Sequence, residues 1–143
     1  MCLTKHTGVR LMGLKNMEGI LLLGHGSKLP HNSEVIKELS NLIEKKHGVK
    51  VAYAFMIINK PSFEEALREL VNKGARRIAV VPVFLAHGVH TVSDIPSLLR
   101  LGEGEKKCVY ECDGKSVEIF YAEPIGASQE LADILYKLSL IHI

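Results

Sequence analysis

Apolar positions in this chain fall into short unbroken runs separated by stretches in which every third or fourth residue is apolar. The first run, Ile20-Leu21-Leu22-Leu23, reads as a strand buried on both faces, and it stops abruptly at Gly24-His25-Gly26-Ser27-Lys28. After the loop and helix cap Leu29-Pro30-His31-Asn32-Ser33, the residues Val35, Ile36, Leu39, Leu42 and Ile43 recur with helical period. Lys45, Lys46, His47 and Gly48 end that helix, the cations opposing its dipole and glycine supplying a left-handed stop. Residues 49–58 predict a second strand, closed by Pro61. Ser62-Phe63-Glu64-Glu65 has the capping-box pattern, and Ala66, Leu67, Leu70 and Val71 form the buried stripe of a second helix that ends at Gly74.

Residues 78–84 predict a third strand, too apolar for one solvated face, in which Pro82 marks a bulge or the end of pairing. Leu85-Ala86-His87-Gly88-Val89-His90 follows at once, then a short helix within residues 91–101. Residues 102–116 are charged and contain the hairpin signal Asp113-Gly114, so they read as an insertion with a small antiparallel ribbon. Residues 117–121 are the last strand, and Ser128 caps a final helix whose apolar face is Leu131, Ile134, Leu135 and Leu138.

Strands and helices alternate, which predicts an α/β fold with a four-stranded, mainly parallel sheet in the order 2-1-3-4 and helices on both faces. In that order strands one and three are neighbours whose crossovers leave on opposite faces, and ligands bind at such a switch point. His25 follows strand one and His87 and His90 follow strand three, so both glycine-histidine clusters should open into one crevice.

A length of 143 residues suits one domain with a real core. Residues 17–143 form that domain, and residues 1–16 read as an extension or a misplaced start, because Met17 directly precedes the first strand and no signal-peptide core is present. The net charge of +2 owes to Lys5, Arg10 and Lys15, which precede the first acid, Glu18; without them 15 basic residues face 16 acidic ones. That balance carries no nucleic-acid footprint, and no apolar run is long enough for a membrane span. Cys2, Cys108 and Cys112 are an odd number, which argues against a disulfide framework and for a reducing cytoplasm. Cys108 and Cys112 would share one side of a strand, a weak metal signal.

The crevice excludes several chemistries. Leu29 stands where a dinucleotide fingerprint needs its third glycine, no phosphate-binding loop of the G-x-x-x-x-G-K-[ST] type occurs, and Gly24 stands where a phosphohistidine phosphatase has arginine. What remains is a set of neutral imidazoles with no nearby carboxylate, donors suited to Co²⁺, Ni²⁺, Fe²⁺ or Zn²⁺.

From about Glu18 to its end the chain resembles the short class II chelatases, which insert a divalent metal into sirohydrochlorin. The resemblance rests on LLLGHGSKLP, on GARRIAVVPVFLAHGVHTVSDIP and on AEPIGA near Tyr121, in that order and at these separations. It implies insertion of Co²⁺ for cobamide synthesis without ATP or an organic cofactor, by a homodimer. By position, the metal-binding histidines fall on His25 and His90, and His25 also matches the proton acceptor. Leu85, Ala86, His87, Gly88, Val89 and His90 match the tetrapyrrole-contacting loop. Lys28 and Lys60, just past strands one and two, are placed to meet substrate carboxylates or to be ordinary solvated lysines.

Two departures from the family pattern stand out. Many relatives have glutamates before the equivalent of Pro61, whereas Met56-Ile57-Ile58-Asn59-Lys60 has none, and residues 102–116 lack the histidine-rich insertion of some short forms. Ni²⁺ insertion toward coenzyme F430 is the nearest alternative, Fe²⁺ insertion toward siroheme the next. A non-catalytic tetrapyrrole or metal carrier is the alternative from another class.

Overall fold

Gly48 ends the first helix as the sequence requires: with φ of 70° it adopts the left-handed conformation and donates its N–H to the Glu44 carbonyl. In the computed structural model, which describes residues 17–140, that helix is α1 (His31–His47), between β1 (Gly19–Gly24) and β2 (Lys50–Phe55). There follow α2 (Phe63–Asn72), β3 (Arg77–Pro82), a π-helical turn (His90–Asp94), α3 (Ile95–Leu98), β4 (Lys107–Cys112), β5 (Lys115–Tyr121) and α4 (Gln129–Ser139). The expectation for residues 1–16 lies outside the described residues.

Among the described residues the sheet has five strands in the order β2-β1-β3-β5-β4, rather than the four expected. The first four of these are parallel, and β4 joins the edge antiparallel to β5. The Asp113-Gly114 turn forms as predicted, with φ of 50° and 79°. The second arm of the expected ribbon is the last strand itself. A free two-stranded ribbon is marginal in water. Here Tyr110 and Cys112 of β4 are buried against the main core, so the hairpin extends the sheet.

Element ends also shift. β2 stops at Phe55 because Ile58 takes a positive φ of 65°, and β3 stops at Pro82, which has no N–H to give. α1 begins at His31, inside the stretch expected to be loop: Pro30 already has a helical ψ, and Ser33 Oγ donates to the Pro30 carbonyl instead of capping. Arg76 and Arg77, which lead into β3, are half-buried. Arg76 donates to the Val71 and Ala75 carbonyls, and Arg77 pairs with Glu118 and lies 5.0 Å from the Phe120 ring centroid.

One face of the sheet buries Leu21, Leu23, Ile78, Val80 and Ile119 beneath Phe63, Leu67 and Leu70 of α2 and Ile95 and Leu99 at α3. The other buries Leu22, Val51 and Phe55 beneath Ile36 of α1. α4 has its predicted cap, Ser128 Oγ accepting from the Leu131 N–H at 3.1 Å, yet no residue of α4 is buried. No helix among the described residues is long and apolar enough to cross a membrane.

The capping box at α2 is complete. Ser62 Oγ accepts from the Glu65 N–H at 3.2 Å, and Glu65 Oε1 accepts from the Ser62 N–H at 2.8 Å. Ser62→Ala should therefore lower stability by about 1 kcal/mol in urea unfolding with an unchanged m-value; an unchanged midpoint would show that the cap contributes nothing.

Candidate active site

Because β1 and β3 are hydrogen-bonded neighbours, the segments that leave their carboxyl ends lie side by side. His25 is the first residue past β1, and its backbone is fixed to the chain leaving β2. The Met56 N–H donates to the Gly24 carbonyl and the Ile57 N–H to the His25 carbonyl, each at 2.9 Å. The flanking glycines are required by packing more than by access to the imidazole. A Cβ on Gly26, whose φ is 104°, would stand 1.9 Å from the Ile57 carbonyl oxygen, and one on Gly24 would stand 2.3 Å from Ile36 Cδ1. Ser27 N–H donates to Asn59 Oδ1 at 2.6 Å and completes the tie between the two loops.

Past β3, the Phe84 and Leu85 carbonyls accept from the Ile125 and Gly126 N–H groups, so the segment after β5 braces the segment after β3. Leu85, Ala86, His87, Gly88 and Val89 are exposed. The chain then enters the π-helical turn, in which the Ile95 N–H reaches back five residues to the His90 carbonyl. Buried Thr91 organises this turn. Its Oγ1 accepts from the Gly88 N–H at 2.8 Å and meets His87 Nδ1 at 3.1 Å, and its carbonyl accepts from Tyr121 Oη at 2.8 Å. Burial, with Glu123 close by, pushes the Tyr121 phenol up to about 12, so it remains a donor to Thr91 at neutral pH.

The structure brings His25 and His90 together: their ring centroids are 4.3 Å apart with the planes inclined at 42°. His90 Nδ1 lies 2.8 Å from Asp94 Oδ2. The carboxylate only accepts, so Nδ1 carries the proton and the Nε2 lone pair is left to ligate. Among the described residues no hydrogen bond engages the His25 ring, which is half-buried. His87 differs from both, since Thr91 Oγ1 holds Nδ1 and Glu123 Oε1 holds Nε2 at 2.7 Å. Neither nitrogen of His87 is open to a metal in this arrangement. Lys106 pairs with the other oxygen of Glu123, and Lys106 together with His87 holds that carboxyl below the usual range.

Two carboxylates thus stand beside histidines that the sequence reading left without one. Asp94 was legible as the i+4 partner of His90 on a segment expected to be helical; Glu123 lies within the quoted AEPIGA stretch, and only the fold reveals that it faces His87. Lys28 is exposed and makes no ion pair among the described residues. Lys60 is exposed and turned toward Glu65, 3.6 Å away, at the start of α2. Leu29, Ile57, Ile58, Leu85 and Val89, on the three loops that leave β1, β2 and β3, are all exposed and give this end of the sheet an apolar rim.

No group of three or more His, Cys, Asp or Glu residues among those described is placed to hold a metal ion. The imidazole pair alone leaves most coordination positions open, an arrangement suited to passing an ion on. Cys108 and Cys112 do share one face of β4, but that face points into the core, and burial raises both thiols.

Comparison with known proteins gives a consistent picture. The CbiX family profile matches residues 19–139. The sirohydrochlorin cobaltochelatase of Methanosarcina acetivorans is 46% identical over 121 residues, covering 83% of this chain and 92% of the relative. That of Methanothermobacter thermautotrophicus is 42% identical over 127 residues, covering 82% and 87%. Among solved structures, the sirohydrochlorin chelatase SirB from Bacillus subtilis subspecies spizizenii in complex with cobalt superposes with a TM-score of 0.67 at 25% identity, covering 83% of this chain and 48% of that one. A cobalamin biosynthesis CbiX protein from Marinobacter aquaeolei VT8 gives 0.65 at 28%, covering 85% and 92%.

A carboxylate behind a metal-binding imidazole fixes its tautomer and raises its basicity, and losing such a partner typically weakens binding about 10–100-fold. Asp94→Ala should show a loss of that size in Co²⁺ affinity by calorimetry, with an unchanged far-ultraviolet spectrum. Unaltered affinity would show that the Nδ1 contact does not prepare His90 for metal.

Proposed function

The chain belongs to the CbiX family, and from that premise we propose that it inserts Co²⁺ into sirohydrochlorin with His25 and His90 as the metal-handling groups. As a member it is a sirohydrochlorin metal chelatase. The observation that carries the residue assignment is the 4.3 Å approach of two imidazoles that come from different strand ends.

The reaction replaces two pyrrole protons by a dication, so a site must hold the ion, shed its water and take up protons. A neutral imidazole carries one lone pair that can ligate the ion or accept a proton. His90, oriented by Asp94, offers Nε2 to the ion, and His25 offers the second nitrogen. As the ion passes to the macrocycle, the lone pair on His25 that held it becomes free to take one of the two pyrrole protons, and the other leaves to bulk water. The open coordination positions are where the pyrrole nitrogens replace water.

The apolar rim supports a flat macrocycle laid against Leu85, Ala86, Gly88 and Val89. His87, with both nitrogens engaged, belongs to substrate contact. Lys28, and Lys60 if it leaves its pairing with Glu65, would meet the substrate carboxylates; that pair is exposed and screened by solvent, so it is readily exchanged. The working assembly in this reading is a homodimer in the cytoplasm. Imidazole donors do not separate Co²⁺ from Ni²⁺, so nickel is the metal to test against cobalt.

Anaerobic absorption spectroscopy of sirohydrochlorin with Co²⁺, Ni²⁺ or Fe²⁺, at substoichiometric protein, tests the reading. Conversion over many turnovers, fastest with Co²⁺, is expected; tight binding of macrocycle or metal without turnover would make the protein a carrier. His25→Ala and His90→Ala should each lose about 10²-fold or more in rate while remaining folded. His87→Ala should raise KM more than it lowers kcat.

A further inference from the structure

Asp94 stands behind His90, and a second carboxylate, Glu123, stands behind His87. Glu123 sits between two backbone ties to β3 and its extension: the Ala122 N–H donates to the Val80 carbonyl and the Ile125 N–H to the Phe84 carbonyl, each at 2.9 Å. Its second oxygen is held by Lys106, whose own carbonyl accepts from the Tyr121 N–H at 2.8 Å. The carboxylate is therefore placed from the sheet on both sides, independently of the loop it touches.

His87 is placed less firmly. It stands between the Leu85 carbonyl, which Gly126 holds, and the Gly88 N–H, which Thr91 holds, on a stretch that is exposed throughout. Beside it lies a cavity of about 390 Å³, lined also by Val92, Ser97, Leu101, Lys106 and Tyr121. A ring released from Glu123 has that space to turn into. Thr91 alone does not prevent the turn, since its hydroxyl can give its proton to the Gly88 carbonyl, 3.2 Å away, as readily as to His87 Nδ1 at 3.1 Å.

We infer that Glu123 is a positioning residue for the macrocycle: it fixes the proton on His87 Nε2 and the plane of the ring, and so sets the surface that residues 85–90 offer to substrate. The carboxylate only accepts, so Nε2 carries the proton and Nδ1 is turned to Thr91. With both nitrogens engaged, the ring has its carbon edge and its face left to offer, the surfaces by which aromatic systems pack on one another. A ring free to turn would leave that surface part of the time, and the loss would fall on substrate binding. The two carboxylates thus divide their work: Asp94 acts on the ion through His90, and Glu123 acts on the macrocycle through His87.

This inference rests on the reading of His87 as a substrate contact, and a double-mutant cycle separates the two. KM and kcat for sirohydrochlorin with Co²⁺ are measured on the full chain and on Glu123→Ala, Glu123→Gln, His87→Ala and Glu123→Ala/His87→Ala. Glu123 is exposed, so each fold should survive by circular dichroism. Glu123→Ala should raise KM about tenfold, the size of one charge-assisted hydrogen bond, with kcat and calorimetric Co²⁺ affinity held within about twofold. Glu123→Gln, whose amide oxygen still accepts from the Nε2 N–H, should recover most of that loss. In the His87→Ala background Glu123→Ala should add nothing. By nitrogen NMR without substrate, the His87 ring should show Nε2 alone protonated in the full chain and averaged nitrogens in Glu123→Ala.

An unchanged KM in His87→Ala would overturn the substrate contact and the positioning role together. A raised KM in His87→Ala with an unchanged one in Glu123→Ala would overturn the positioning role alone, as would an equal rise from Glu123→Ala in both backgrounds or an averaged ring in the full chain. A fall in Co²⁺ affinity in Glu123→Ala would also overturn it, placing Glu123 with the metal instead.

Discussion

The hydrogen-bonded pairing of β1 with β3 is the constraint on which the rest of the site depends. It aligns Leu21 with Val80 and Leu23 with Pro82, and so delivers two loops remote in sequence to one edge of the sheet. The register is held by the core. Leu21, Leu23 and Val80 are wholly buried on one face, and burying an aliphatic side chain of that size stabilises by about 1.5–3 kcal/mol. A slip by one residue would turn all of them toward the opposite face. The placement of the imidazoles thus draws its rigidity from groups that take no part in chemistry.

The two imidazoles are chemically unequal. His90 is tied at one nitrogen by Asp94 and steadied on a turn whose centre, Thr91, is buried; His25 sits on a loop tied only through its backbone. One member of the pair has its lone-pair direction fixed by a carboxylate, and the ring of the other carries no hydrogen bond among the described residues. Under the proposed delivery role that inequality matters, since two equally fixed ligands with a third would make a storage site. Met56-Ile57-Ile58-Asn59-Lys60, the segment whose backbone bonds to Gly24 and His25, contains no acidic residue and so brings no carboxylate to the loop that carries His25.

Much of this was legible in the sequence because local rules sufficed. The unbroken apolar runs gave the parallel strands, Gly48 and the Ser62–Glu65 pair set helix ends, Asp113-Gly114 set a turn, and strand order followed from alternation. What escaped were features decided between elements. That β4 would continue the sheet depended on Tyr110 and Cys112 finding the core. That His87 would be bound at both nitrogens depended on Glu123, which only the β3–β5 pairing brings near. The apolar stripe of α4 was read correctly as a stripe, yet periodicity says that a face must be covered and never says by what.

The π-helical turn at His90–Asp94 has one more consequence. A π turn is an α turn carrying one additional residue. Removing a residue there would let an ordinary helix form through to α3, while rotating His90 relative to Thr91 and parting it from its register with Asp94. The approach of His90 to His25 and its tie to Asp94 therefore hang on a single residue of chain length.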